Sequence, residues 1–338
     1  MTYTKLIYCI AIAVIGLFAF EDETPSLAPN QSVAMLLETF GDEPAPHKPK
    51  TGPNVSMERG KEIVINGFSK HGDKKSSRQS KHFTCIACHN IEREEPDLAN
   101  PSPEARLEYV TENGLPFLQG SPLYGIVNRT HFYNGDYYKK YGDLVKPAQN
   151  DIREAIQLCA IECSQGRPLQ SFEIESILTY LWTIDLKLSD LLLAPEEMEL
   201  VERAFNTGRG KEAAIKVLKS KYLDHSAATF VEPPKDRITG DSLKGIAENG
   251  ALIYEASCQY CHFEKPFAFL TLDDDKMTFD HLLRKAGTYQ PHSIYQVIRY
   301  GTSPKGGKES YMPLYTKEKM TDQQMADLRA YIEMKANM

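Results

Sequence analysis

The chain has 338 residues, 41% of them hydrophobic and 25% charged, with a formal net charge of −7. That balance is ordinary for a folded soluble protein and allows two to three domains. The acidic charge, with lysines scattered rather than striped along a helix, argues against nucleic acid as a partner and leaves proteins and small anions.

Lys5 is followed by a mostly apolar run, Leu6 to Phe20, and then by the acidic EDETPS. A run that short predicts a signal peptide over residues 1–20 rather than a spanning helix. The alternative is an uncleaved anchor in a thinned bilayer, the one route by which a membrane would be a partner. Cys9 lies too early in the run for a lipoprotein cysteine. Residues 21–54, rich in Pro, Asp, Glu and Asn, predict a linker.

A first ordered unit is expected over 55–187. Its opening helix would run from Met57 to about Phe68, with Met57, Val64 and Phe68 on one face. Its closing helix would run from Ser171 to about Leu186, with Ile174, Ile177, Leu178 and Leu181 at i, i+3, i+4, i+7. Between them lies CIACH, Cys85 to His89.

The same pentapeptide, C-x-x-C-H, recurs as CQYCH at Cys258, Cys261 and His262. It is the attachment signature of c-type haem. Two thiols about one helical turn apart reach the two vinyl groups of one porphyrin, and the next imidazole falls beneath the iron. Structural zinc would need two further ligands at finger spacing, and neither motif is followed by them. Two covalently bound haem c groups are therefore expected, held by Cys85 and Cys88 and by Cys258 and Cys261, with His89 and His262 as proximal iron ligands. Bacterial haem attachment to this motif takes place outside the cytoplasmic membrane, so motif and leader point together to the periplasm.

Residues 188–240 predict a helical connector followed by a linker, with spacing as their role. The second unit, 241–338, repeats the plan of the first. Leu243, Ile246, Ala247 and Gly250 stripe an opening helix; Met325, Leu328 and Ile332 stripe a closing helix, begun by a capping box of Thr321 and Gln324. This order of helix, haem motif, loop-rich middle and closing helix resembles the class I cytochrome c fold, occurring twice. The fold class expected is all-α: two tandem cytochrome c domains joined by a helical connector.

That resemblance implies a methionine as second axial ligand, in a loop just before the closing helix. Met312, in SYMPLYTKEKM, fits it. Met320 and Met325 belong to the turn or helix itself, and a core methionine is the bland alternative for any of them. The first unit differs, because no methionine stands between Met57 and Met198. Of seven cysteines, setting aside Cys9 and the four thioether positions leaves Cys159 and Cys163. Ile152, Ile156, Cys159 and Cys163 fall at i, i+4, i+7, i+11 on one helical face, so both sulfurs are expected inward. Cys159 and Cys163 are the candidates for sixth ligand of the first iron, with His131, another group or an open site as alternatives. A Cys159–Cys163 disulfide is the structural alternative, since an oxidising compartment favours one.

The segment AIQLCAIECSQGRPL resembles the C-x-x-R-S-x-N-G-x-x-L segment of cysteine-ligated dihaem cytochromes of sulfur oxidation, the thiosulfate dehydrogenases and SoxA-type proteins. The resemblance implies that Cys159 ligates iron and meets a sulfur anion. Glu162 stands where that family has arginine, and Cys163 where it has serine; Arg167, Arg153 or Arg129 would have to supply the positive charge. The basic KHGDKKSSRQSKH is expected to be a solvated loop. LYGIVNRTHFYNGDYYKKYG is expected to cover the first haem without chemistry of its own.

The function expected is electron transfer in the periplasm, from a donor at the first haem to an acceptor at the second, such as a small cytochrome or a terminal oxidase. A thiolate lowers an iron's potential and a thioether raises it, which sets that direction. Oxidation of a sulfur anion at Cys159 is the enzymatic alternative, and an anchored subunit of a respiratory complex a third.

Overall fold

The computed structural model describes residues 27–71, 74–237, 239–263, 270–288, 293–302 and 312–338. The expected signal peptide and Cys9 lie outside them. Helices, joined by turns and irregular segments, are the main regular structure of the described residues; besides them stand a two-residue ladder, Lys70–His71 with Lys74–Lys75, in the basic segment and a single bridge between Ser32 and Lys187. Among the described residues no helix is long and apolar enough to cross a membrane.

Two helix pairs organise the molecule. Met57–Asn66 is capped by the Ser56 hydroxyl and stopped by Gly67 at φ +74°, and it crosses Ser171–Leu181. Gly60 makes the crossing possible, because a Cβ there would stand 1.9 Å from the Ser176 carbonyl oxygen. Ile63 and Val64 are buried with Ile177, Leu178 and Leu181. Phe68, expected on that helix, lies beyond its glycine stop, with the Lys75 ammonium 5.0 Å from its ring centroid. In the second pair Ala247–Ile253 crosses Asp322–Ala336, and a Cβ on Gly250 would stand 2.1 Å from the Asp327 carbonyl oxygen. Thr321 and Gln324 form the expected capping box, and Met325, Leu328 and Ile332 are buried. Leu243 and Ile246, expected in the buried stripe, are 44% and 49% exposed, because the helix starts only at Ala247.

The stretches expected as linker and spacer are packed. Val33–Phe40, within 21–54, is a helix capped by Ser32 and ended by Gly41. Val33, Leu36, Leu37 and Phe40 recur at i, i+3, i+4, i+7 and share a core with Val201 and Ala204 of Pro195–Thr207 and Ala214 and Leu218 of Lys211–Lys219. The flanking Pro-rich composition conceals this short amphipathic helix.

A segment from inside 55–187 serves the second pair. Leu107 and Val110 of Pro103–Glu112, with Phe117, are buried among Ile253, Tyr254, Met325 and Leu328. The Phe117 amide donates to the Ala256 carbonyl at 2.8 Å, and Gln324 Nε2 to the Pro103 carbonyl at 2.8 Å. Sequence order and core membership therefore part company between residues 103 and 118.

Candidate functional site

The first pentapeptide begins as a 3₁₀ turn, Cys85–Ala87. The second lies on helix: a π-turn over Tyr254–Gln259 runs into a final turn, Tyr260–His262. Despite that difference, both histidines are held in one way. His89 Nδ1 lies 2.6 Å from the Ser121 carbonyl oxygen, and His262 Nδ1 lies 2.8 Å from that of Leu270. A carbonyl only accepts, so each Nδ1 carries the proton and each Nε2 keeps a lone pair for a metal. This fits haem c: two thiols for the vinyl groups, and a pre-oriented neutral imidazole beside them. Burial pushes the Cys85 thiol up to about 11 and that of Cys258 to about 12.

Gly120 gives the first imidazole its room. A Cβ there would meet the His89 ring at 2.6 Å and the Cys88 carbonyl oxygen at 2.5 Å, and the Gly120 amide donates to that same carbonyl at 2.9 Å. Neither Gly120 nor Ser121 is marked by a sequence motif.

Cys159 and Cys163, expected on one α-helical face, lie instead on a wider turn, where Cys159 interacts electrostatically with Cys85 and Cys88. The α-helix ends at Leu158, and Cys159–Cys163 is a π-turn, a distortion that recurs at functional sites. The Ser164 amide bonds Cys159 O and the Gly166 amide bonds Ala160 O. The Ala160 carbonyl also accepts from Gln79 Nε2 and Ser164 Oγ, each at 2.7 Å. Those side chains satisfy the backbone group that the wider turn frees.

Both thiols are free. The hydrogen bond from Cys159 to Cys163, with burial, raises the first thiol, and accepting it lowers the second to about 7. Hydrogen bonds from Tyr141 and Tyr133 and the nearby Lys140 also favour negative charge on Cys163, the Tyr141 hydroxyl lying 3.5 Å from its sulfur. Cys159 neighbours both Cys85 and Cys88, whereas Cys163 faces Cys88 and the tyrosines. Tyr133 and Tyr137 pack edge to face at 4.7 Å, and Tyr137 and Tyr141 stack at 6.4 Å. These tyrosines, expected only as cover, therefore touch the thiol pair; their i, i+4, i+8 spacing was the available signal.

The other candidates are placed elsewhere. His131 is exposed, its Nδ1 2.9 Å from Thr130 Oγ1. Arg153 makes a two-pronged bond to Glu175 at 2.7 and 3.0 Å, and Arg167 one to Glu173 at 2.6 and 2.8 Å, so neither offers a free fork to an anion. Arg129 lines a small cavity of about 60 Å³ with Glu95, Tyr137 and Lys319, where burial lowers its pKa against the pull of Glu95 and Glu94.

Met312 is half-buried and pinned by its backbone: its amide donates to Thr302 Oγ1 at 2.8 Å, and its carbonyl accepts from the Thr302 amide at 3.0 Å. Gly301, at φ +70°, lets the chains meet, since a Cβ there would lie 2.1 Å from Met312 O. Met320 and Met325 are core residues, 1% and 0% exposed.

The two pentapeptides touch. Tyr260 Oη donates to the Ile86 carbonyl at 2.9 Å, and Cys261 Sγ lies 3.9 Å from the Ala87 carbonyl oxygen.

Residues 245–332 match the family model of cytochrome C oxidase, cbb3-type, subunit III. The match contains Cys258, Cys261, His262 and Met312. It supports a c-type cytochrome domain there, and with it a covalently bound haem c, electron transfer and redox protein partners. No curated protein and no solved structure matches the chain.

Proposed function

We propose that the protein is an exported, periplasmic dihaem cytochrome c, built of two cytochrome c units, that takes electrons at a first haem and delivers them from a second. One observation carries the reading: both pentapeptides present a histidine whose Nδ1 is tied to a backbone carbonyl and whose Nε2 is left for iron. The haem supplies reversible one-electron chemistry. The chain supplies Cys85, Cys88 and His89 for the first and Cys258, Cys261 and His262 for the second.

Met312 is the proposed sixth ligand of the second iron, supported by the burial of Met320 and Met325 in the core. Cys159 is proposed for the first, supported by its interaction with both Cys85 and Cys88; its hydrogen bond to Cys163 raises its pKa, so iron would have to displace that proton. Thiolate at one iron and thioether at the other make the first haem the stronger reductant. Electrons then run toward the second haem and a small cytochrome or oxidase.

Low-temperature EPR of the oxidised protein tests the ligands. Wild type is expected to give one thiolate-ligated low-spin signal that Cys159→Met abolishes, while Met312→Ala alters only the other. If neither haem carries a thiolate signal, the ligand assignment fails and a plain electron carrier remains. Release by osmotic shock tests the compartment; retention on salt-washed membranes would support an anchored subunit instead.

The two free thiols at the first pentapeptide also favour a second reading, oxidation of a sulfur anion at Cys159. Two thiosulfates would join through a new S–S bond to give tetrathionate, and the two electrons released would leave through the haems. Glu162 is exposed and Arg153 and Arg167 are paired, so the reading lacks a ready anion clamp. Turnover of thiosulfate by wild type but not by Cys159→Ala would establish it; wild type inert to a range of sulfur anions would remove it.

A further inference from the structure

We propose that Tyr260 is a positioning residue for electron transfer within the chain. It holds the two attachment segments face to face so that electrons cross between Cys261 of the second and the Ile86–Ala87 turn of the first. The inference rests on the dihaem reading above. It goes beyond that reading in naming the contact through which the electron passes and the side chain that sets it.

Tyr260 occupies the second variable position of C-x-x-C-H, the residue immediately before Cys261. Its hydroxyl reaches the carbonyl of Ile86, the first variable residue of the other motif, at 2.9 Å. Next along, Cys261 Sγ approaches the Ala87 carbonyl oxygen at 3.9 Å. The second motif thus meets the first at Tyr260 and Cys261, against the Ile86 and Ala87 carbonyls that stand between the first motif's two cysteines.

The contact is framed by the irregular segment 117–120. The Phe117 amide donates to Ala256 O, just before the second motif, and the Gly120 amide donates to Cys88 O, within the first. The Phe117 carbonyl accepts from Tyr315 Oη at 3.0 Å. Four consecutive residues of this irregular segment therefore bridge both motifs, while Tyr260 supplies the direct bond between them. A hydroxyl inside a haem motif has no part in attachment or ligation, so its use against the other motif is what gives it meaning.

The step moves one electron and no atom: the first iron goes from ferrous to ferric and the second from ferric to ferrous. No proton moves, since neither Tyr260 nor the thioether sulfurs change protonation.

The test uses the full-length holoprotein. Haem is first counted per chain by pyridine haemochrome absorbance, and EPR of the fully oxidised form is compared with that of the half-reduced form. Two haems whose oxidised spectrum shows magnetic interaction, lost on half-reduction, are expected. Interhaem transfer after pulsed reduction should then slow about fivefold in Tyr260→Phe, the scale of one net hydrogen bond, with haem content and both potentials unchanged. Tyr124→Phe, which loses a bond to Asp190 remote from the motifs, should leave the rate alone. One haem per chain would overturn the dihaem reading and this inference with it. Two haems without interaction, or an unchanged rate in Tyr260→Phe, would overturn the inference alone.

Discussion

Lys319 Nζ lies 2.5 Å from Glu94 Oε1, joining the stretch that carries Met312 to the segment five residues beyond His89. Both side chains are buried, and Arg106, with none of its side chain exposed, adds a second cation 3.5 Å from the same carboxylate. Arg106 also stacks its guanidinium 3.9 Å from the Phe117 ring centroid and donates to the Leu118 and Lys319 carbonyls. The two motif-bearing regions are thus fastened by a charge cluster as well as by the contact between the motifs.

Glu94→Gln leaves two cations buried with only Glu95, 3.9 Å from Lys319, as a nearby carboxylate. Removing one partner of such a cluster costs about 3–5 kcal/mol. The variant is expected to unfold at a clearly lower urea concentration than wild type, with haem content unchanged; an equal midpoint would mean that the cluster is solvated.

The pH dependence of stability has two windows. Burial lowers the His47 pKa below its ordinary 6.5, the bond to Val127 O only partly opposing it. The unfolded chain therefore takes up this proton first, so stability is full above about pH 6.5 and declines as pH falls below it. For Glu94 burial pushes the carboxyl up, but Lys319 and Arg106 more than offset that and hold it below its ordinary 4.5. Its contribution is present above that value and is lost as pH falls further. Urea midpoints between pH 8 and 3 should show two declines, the upper one reduced in His47→Gln and the lower one reduced, but not removed, in Glu94→Gln, because Glu173 and Glu175 are also held below their ordinary range by their arginine partners.

Gly120→Ala forces a methyl group against the His89 ring and the Cys88 carbonyl. The expected outcome is a shifted potential and altered spectrum for the first haem only. Spectroelectrochemical titration, with the second haem as internal reference, reads it directly.

Gly60→Ala and Gly250→Ala each push a Cβ into a backbone carbonyl of the opposing helix. Overpacking of this kind costs about 1–3 kcal/mol, more where backbone must move. Thermal unfolding should fall in both variants, whereas Gly135→Ala, with open space around its Cβ position, serves as the mild control.

Much was legible in one dimension because the chemistry is local. The thiols and imidazole of each pentapeptide lie within five residues, and the Thr321 box with the Met325, Leu328, Ile332 stripe is a short-range pattern that burial then satisfied. The apolar spacing of Val33, Leu36, Leu37 and Phe40 was equally present but lay inside a Pro-rich, acidic stretch. The inward direction of Cys159 and Cys163 was also legible, but not the π-turn that carries them. That turn depends on Gln79, some eighty residues away, bonding the Ala160 carbonyl.

What the sequence determined by itself is the local chemistry on offer: two C-x-x-C-H pentapeptides, each with two thiols and an imidazole, and no methionine between Met57 and Met198. What only the tertiary structure decided is the relation between distant parts. It tied Ser121 to His89, Tyr260 to Ile86 and Lys319 to Glu94, and it buried Leu107 and Val110 in the core of the other helix pair. Those partners carry no periodicity or spacing rule, because carbonyls, hydroxyls and buried charges are matched by packing across the fold rather than by order along the chain.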